Sequence, residues 1–404
     1  MPLPELTARR SQISSRAGGR KRVLLVGPGF RFLSGLSVYT CRMAGALVDC
    51  HDVSVVLLDR LIPRRLYPGA DRVGHDLTAL RYDPRVRVIA EVDWYWGPAI
   101  TGLARLLRAE RPDVIVLQWW TAATLHTYLL LSRLAARNGI PVVIEFHEIQ
   151  DTGESGIPLV APYCRRYLKR LVRRASGALV HTDFDVQQLK SVLGTDVLDA
   201  LAVRVAPHGP YDHIGKLPRR SEASDDLAAR DGGPVRVLFF GLIRPYKGAE
   251  DLIYALDGMT DAQAAQFDVH VVGETWEGWT LPAEAIRASR HRQRIRFENR
   301  YVSDPEVAEY FATADVLVLP YRRGSASGPL QIAMSHGIFV VMYAVGGLVE
   351  AVRDYRGAIL VPPGDIDALR DAILSIVARR GQRFDDPHTW LPVRRAIESL
   401  MESG

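Results

Sequence analysis

The sequence predicts an α/β protein built from two parallel-sheet domains in tandem. Two observations carry that prediction. Short, almost wholly apolar runs alternate with helix-length segments, the pattern of parallel strands covered on both faces. The alternation stops at Pro218 to Pro234, a polar stretch holding Gly232-Gly233, and then begins again.

In the first half the strand candidates are Val23–Val26, Val53–Leu58, Val86–Glu91, Val114–Leu117, Val142–Phe146, Ala178–His181 and Val203–Ala206. Helix-length segments Leu36–Val48, Ile100–Ala109, Ala122–Arg137 and Ala161–Ala175 lie between several of them. In the second half the strands are Val235–Phe240, Asp268–Val272, Arg294–Phe297, Val316–Leu319, Phe339–Tyr343 and Ala358–Val361. The expected division is a basic tail at 1–20, a first domain at 21–212, a linker at 213–234, a second domain at 235–385 and a C-terminal segment at 386–404. Ligands of open parallel sheets bind at the carboxyl ends of the strands, so two facing sheets put the site in the cleft between them.

The chain has 404 residues, 48% hydrophobic and 24% charged, enough for two or three buried cores. Collagen-like, low-complexity and disordered classes are excluded. Cys41, Cys50 and Cys164 form no CxxC pair, which argues against a disulfide framework or a cysteine zinc site and fits a reducing cytoplasm. The net charge of +5 is a near-balance of 51 basic and 46 acidic residues, so no nucleic-acid partner is expected. No apolar run precedes Val23, so no secretory signal is expected. The long apolar region Val114 to Ala136 is interrupted by Gln118, His126 and Arg133 and reads as a strand and a helix rather than a membrane span.

Three loops could carry chemistry. The first, Gly27-Pro28-Gly29-Phe30-Arg31-Phe32-Leu33-Ser34-Gly35, lacks the glycine spacing of a dinucleotide turn, although Asp59 follows the next strand. Gly35 at a helix start lets a phosphate or a second domain approach the backbone, or marks an ordinary strand–helix turn. The second runs from Gly241 at a strand end to Gly248 at a helix start, with Arg244 and Lys247 between them. It suits a diphosphate, with Arg for bidentate contacts and Lys as a point charge, or else is a turn with two surface cations. The third, Gly324-Ser325-Ala326-Ser327-Gly328-Pro329-Leu330-Gln331, follows a strand, with Ser327 as candidate N-cap of a helix starting near Pro329.

Together these features resemble the GT-B glycosyltransferases of family GT4, most strongly over 235–360. Phe239 to Gly248 is similar to that family's donor-phosphate loop. Val272-Gly273-Glu274-Thr275-Trp276-Glu277 resembles the strand-end segment that follows it, and Tyr301-Val302-Ser303-Asp304-Pro305-Glu306-Val307 the nucleobase loop. Gly324 to Gly337 resembles the donor-sugar loop and helix, and Gly346-Gly347 to Glu350 the Gly-Gly-x-x-Glu turn. In the first half Ser34-Gly35, His147-Glu148 and Pro207-His208-Gly209 agree more loosely, and Trp390 resembles the tryptophan of a C-terminal helix that crosses back to the first domain.

The resemblance implies two Rossmann-like domains facing across a cleft, and retaining transfer from a UDP- or GDP-sugar to an acceptor hydroxyl. The implied catalytic residues are His147, Arg244 and Lys247. The implied donor-binding residues are Gly35, Gly241, Arg244, Lys247, Gly273, Tyr301, Val302, Ser325, Ser327, Gly328, Pro329, Leu330 and Gln331. One departure stands out. The family's paired glutamates, seven residues apart, fall here on Gly324 and Ile332, as in a subset carrying Ser-Gly-x-x-Gln-x-Ala. Donor-sugar recognition would then rest on backbone N–H groups and on Ser325, Ser327 or Gln331.

His147 matches the family's cleft histidine, whereas His181 and His208 read as structural. Trp119, Trp120 and Glu148 are candidate acceptor contacts, with core packing as the alternative for the rings, and Trp94-Tyr95-Trp96 is a second aromatic cluster. Asp183-Phe184-Asp185 has the D-x-D pattern of metal-dependent transferases but lies at a helix start, where Asp183 is equally an N-cap, so no metal cofactor is expected. The basic stretch Arg165 to Arg174 is a candidate contact with an anionic membrane face, or a solvated helix. Two other readings remain: a nucleotide-sugar 2-epimerase drawing on Glu148, Asp151 and Glu154, and a non-catalytic nucleotide-sugar-binding partner.

Overall fold

The computed structural model describes residues 19–29, 35–60, 80–93, 98–149, 160–211, 233–276 and 278–402. The Trp94-Tyr95-Trp96 cluster, Ser34, Asp151, Glu154, Glu277 and nearly all of the tail and linker lie outside them.

The first half alternates as expected: β1 (Arg22–Pro28), α1 (Gly35–Val48), β2 (Asp52–Arg60), β3 (Arg87–Asp93), α2 (Pro98–Glu110), β4 (Val114–Trp119), α3 (Leu125–Arg137), β5 (Val142–Phe146), α4 (Val160–Val172), β6 (Gly177–Val180), α5 (Asp183–Leu193), α6 (Thr195–Asp199) and β7 (Ala202–Val205). These strands form one parallel sheet in the order β3-β2-β1-β4-β5-β6-β7. Leu24 and Val26 pack into one core and Val23 and Leu25 into another, so helices cover both faces. That double burial is why the strands read as unbroken apolar runs.

The second half continues with β8 (Val235–Phe240), α7 (Ala249–Asp257), α8 (Asp261–Ala264), β9 (Phe267–Val272), α9 (Leu281–Ala288), β10 (Ile295–Glu298), α10 (Asp304–Thr313), β11 (Val316–Leu319), α11 (Gly328–Ser335), β12 (Phe339–Tyr343), α12 (Leu348–Ala351), β13 (Ala358–Val361), α13 (Ile366–Ser375) and α14 (Leu391–Glu402). Its sheet runs β10-β9-β8-β11-β12-β13, again parallel. In each sheet the order reverses beside the first strand, opening a crevice at the carboxyl ends.

Helix α14 leaves the second half and packs on the first sheet. Val393, Ile397 and Leu400 share a core with Val23, Leu25 and Val143, and the Trp390 ring lies 4.9 Å from that of Tyr39. No described helix is long and apolar enough to cross a membrane.

Candidate functional site

The first-half wall begins where β5 ends. Glu145 is fully buried, and in the sheet it stands beside Gln118 of β4. A carboxylate there must find donors. The Tyr39 hydroxyl, from α1, donates to Glu145 Oε1 at 2.5 Å, and Gln118 Nε2 donates to Oε2 at 3.1 Å. His147 Nε2 lies 3.5 Å from Glu145 Oε2, and His147 Nδ1 lies 3.3 Å from His181 Nε2. His181 Nδ1 in turn lies 3.1 Å from the Ala206 carbonyl oxygen. His208 closes the group, its ring 5.2 Å from that of His181 and 4.4 Å from that of Tyr39.

Burial by itself pushes the Glu145 carboxyl up. The facing His147 and His181, with the Tyr39 hydroxyl, more than reverse this and leave it below its ordinary value. Burial, reinforced by His147, pulls His181 down to about 4. His208 is lowered by burial and by His181.

The second-half wall is the loop after β8. Gly241 takes φ of 108°, and any side chain on Gly273 would run into its carbonyl, so these two strand ends cross backbone on backbone. The Arg244 guanidinium sits 5.8 Å and 5.7 Å from the ring centroids of Tyr246 and Trp276, and Lys247 Nζ lies 5.1 Å from that of Tyr321. Burial, helped by Arg244, lowers the Lys247 pKa, while Tyr246 and Glu148 oppose the shift. The exposed Glu148 therefore faces this loop from the other half.

Arg322 braces the loop. Its backbone N–H donates to Tyr246 O at 2.7 Å, and its guanidinium donates to Pro245 O at 3.0 Å and to Asp251 Oδ1 at 2.8 Å. It also lies 2.7 Å from Glu250 Oε1. Arg322 is thus committed to carboxylates, whereas Arg244 is held by aromatic faces.

Helix α11 supplies the third element. Ser327 is its N-cap, its Oγ accepting from the Leu330 N–H at 3.3 Å. A methyl on Gly241 would stand 3.3 Å from Pro329 Cγ and 3.4 Å from Lys247 Nζ, so the cation and the helix start converge on one point. Gln331 is buried, with Oε1 lacking a hydrogen-bond partner among the described residues. Leu330 is a core side chain, and Gly328 and Ser325 are half-buried. Val302 is buried beside the half-buried Tyr301, where Ser303 and Glu306 form a capping box that starts α10. Tyr211 spans the halves: its hydroxyl donates to Gly35 O at 2.6 Å, and its ring lies 3.4 Å from the position a Gly328 side chain would take.

Two expectations need correction. Trp119 is buried with its ring 6.4 Å from that of Phe146, a core side chain rather than a sugar platform, while Trp120 is half-buried. At the D-x-D segment the N-cap of α5 is Thr182, not Asp183; Thr182 Oγ1 accepts from the Asp185 N–H at 3.1 Å and donates to its carboxylate at 2.8 Å. Among the described residues the one group of metal-ligand type is Glu145, His147 and His181, whose ligand atoms lie within 4.8 Å of one another. Both Glu145 oxygens and both His181 nitrogens have hydrogen-bond partners, whereas the buried His147 Nε2 has none among the described residues.

Tyr39, Gln118, Glu145, Tyr211 and Arg322 were missed from the sequence. For Gln118 and Glu145 a signal was present: a polar side chain in the middle of an apolar parallel strand needs a partner.

Residues 34–209 match the family described as glycosyl transferase 4-like domain, and residues 234–379 the family described as glycosyl transferases group 1. The chain is 27% identical over 370 residues to a 2-deoxystreptamine N-acetyl-D-glucosaminyltransferase of Streptomyces fradiae, covering 85% of this chain and 82% of that one. It is 38% identical over 104 residues to a GDP-mannose:glycolipid 4-beta-D-mannosyltransferase of Xanthomonas campestris, covering 25% and 28%. The fold is similar to that of Anabaena HepE in complex with UDP, with a TM-score of 0.61 and 17% identity over 95% of this chain and all of that one.

Proposed function

We propose a particular reaction for this chain, which belongs to the GT4-type group 1 glycosyltransferases and is a glycosyltransferase of the GT-B fold. It moves a sugar from a UDP- or GDP-sugar to an acceptor hydroxyl with retention of configuration. The acceptor is a glycan, a lipid-linked sugar or a small molecule. The observation that supports this reading is the convergence of Lys247 and the start of α11 on one point beside Gly241, with Arg244 near enough to help lower the Lys247 pKa.

In this reading Arg244 and Lys247 neutralise the departing diphosphate, and the Gly328 N–H at the start of α11 receives a sugar or phosphate oxygen. A donor phosphate oxygen takes the acceptor's proton, so the protein supplies positioning and electrostatics. His147 stands at the first-half wall, and Gly35 lets the donor approach α1. Tyr301 and Val302 border the nucleobase. Glu148 and Trp120 are the acceptor-side contacts. No divalent metal is required, because two cations already face the diphosphate. The 2-epimerase and binding-partner readings are not favoured, since the similar curated proteins are named as sugar transferases.

Arg165, Arg166 and Lys169 of α4, with Arg173 just beyond it, line one groove, which supports contact with an anionic membrane surface on the cytoplasmic side.

The test is to incubate the protein with UDP- and GDP-sugars and hydroxyl acceptors and to read the anomeric configuration of any glycoside by NMR. A new glycoside with the donor's configuration is expected. An inverted product removes retention, and a free epimerised nucleotide sugar restores the epimerase.

A further inference from the structure

We infer that Arg322 is a positioning residue that ties the loop after β11 to the loop after β8, so that Arg244 and Lys247 stand in place before any donor arrives. The inference deepens the proposed transfer reaction and rests on it for its catalytic consequence.

The loop after β8 gathers like charges. Arg244 and Arg323 lie over the same Tyr246 ring, 5.8 Å and 5.2 Å from its centroid, and Lys247 is the next residue. Arg244 is near enough to help lower the Lys247 pKa. Cations this close repel one another until an anion neutralises them, so an empty site keeps its shape only if the backbone beneath them is fixed.

Arg322 fixes that backbone. Its N–H donates to the Tyr246 carbonyl at 2.7 Å, and its Nη1 donates to the Pro245 carbonyl at 3.0 Å. These two carbonyls lie between Arg244 and Lys247, so the bonds set the spacing of the two cations. Behind the loop the same guanidinium is anchored on α7. Its Nη2 donates to Asp251 Oδ1 at 2.8 Å and lies 2.7 Å from Glu250 Oε1. The Tyr343 hydroxyl, from β12, donates to the other Asp251 oxygen at 3.1 Å. Gly248 takes φ of 59°, and a side chain on it would run into the Pro320 carbonyl, so the two loops pack backbone on backbone. A guanidinium offers five donors in a rigid fork and serves carbonyl and carboxylate together, whereas an ammonium is a point charge on a flexible stem.

A second role must be separated from this one. Glu250 and Asp251 are buried, 1% and 5% exposed, and among the described residues both make their ion pairs with Arg322. Deleting Arg322 alone leaves buried carboxylates uncompensated and destabilises the protein for that reason.

The experiment therefore compares two variants of the full chain. Arg322→Lys keeps the charge and loses the fork. Arg322→Gln combined with Glu250→Gln and Asp251→Asn leaves no charge behind the loop. Amide hydrogen exchange of the ligand-free protein is read over residues 241–248, and UDP and GDP are titrated by calorimetry. In both variants that segment should exchange at least about tenfold faster than in the wild type. Affinity for the nucleotide that the wild type binds should fall at least about tenfold, because binding must now order the loop. KM for the donor should rise by the same factor, while kcat falls less than about threefold, since a bound diphosphate restores the arrangement. Unchanged exchange overturns the inference. So does a lowered melting temperature with unchanged nucleotide affinity, or a fall in kcat at constant KM. If the triple variant does not fold, Arg322→Lys decides. If the wild type binds neither UDP nor GDP, the proposed reaction fails while hydrogen exchange still decides whether Arg322 holds the loop, so the two failures are distinguishable.

Discussion

The carboxylate of Glu350, in the second half, accepts hydrogen bonds from the backbone N–H groups of Asp183 at 2.8 Å and Phe184 at 2.9 Å, in the first half. These are the orphan donors at the start of α5, so the contact combines hydrogen bonding with the helix dipole. Gly347 makes the approach feasible, since a methyl there would lie 2.7 Å from Ser325 O and 2.8 Å from Thr182 Oγ1. The Gly-Gly-x-x-Glu turn thus clasps the halves together directly behind Ser325. Glu350→Ala should cost about 1–2 kcal/mol. It should also enlarge the radius of gyration in solution scattering. An unchanged melting temperature together with an unchanged radius would show that the clasp does not hold the halves.

Arg244→Ala and Lys247→Ala should each weaken donor use by roughly 1.5–3 kcal/mol, the value of a charge-assisted hydrogen bond. The fold should survive, because neither side chain belongs to a core cluster. Steady-state kinetics with either variant within twofold of the parent would falsify the phosphate assignment.

Gln331→Ala should lower turnover or blur discrimination between donor sugars, with a smaller effect on free nucleotide diphosphate. Its unpartnered Oε1 is buried at the start of α11. Leaving a sugar hydroxyl unpaired there costs on the order of 1–3 kcal/mol. Titrating nucleotide diphosphate and intact donor side by side is the check, and equal losses for both ligands would count against sugar reading by this loop.

Stability should fall on acidification. His181 titrates near 6.5 when unfolded but is lowered to about 4 when folded, chiefly by burial. Between those values the unfolded chain holds a proton that the folded chain does not. The His181 contribution is therefore complete above about pH 6.5 and disappears toward about pH 4, a loss of up to about 3 kcal/mol. His208 is shifted in the same direction. Urea unfolding at about pH 7 and about pH 5 tests this, and equal midpoints would mean that the cluster is already open to water.

Donor binding should persist in excess chelator if, as proposed, Arg244 and Lys247 neutralise the diphosphate without a metal. Complete loss that manganese restores would point instead to Asp183 and Asp185.

The architecture was legible because both sheets are covered on both faces, which makes strands such as Val114–Trp119 and Val316–Leu319 nearly pure apolar runs. The start of α11 was legible because Ser327-Gly328-Pro329 encodes a cap locally. The Tyr39–Glu145 contact was not, because 106 residues separate its partners and no spacing rule joins them. Arg322 stayed hidden for the same reason, its carboxylates lying on α7. The Thr182 cap was overlooked because the two aspartates after it imitate a metal motif.

The packing of α14 on the first sheet sets the order in which the chain can mature during synthesis. Leu400 and Ile397 complete a core begun by Val23 and Leu25, yet they are among the last described residues to be translated. The second sheet can therefore close while the nascent chain is still emerging, whereas the first waits with the part of one apolar face that α1 does not cover still bare. A ribosome that stalls shortly before Trp390 would release a protein with a finished C-terminal sheet and an exposed N-terminal one, and chaperones would find their binding surface at the beginning of the chain rather than at its truncated end.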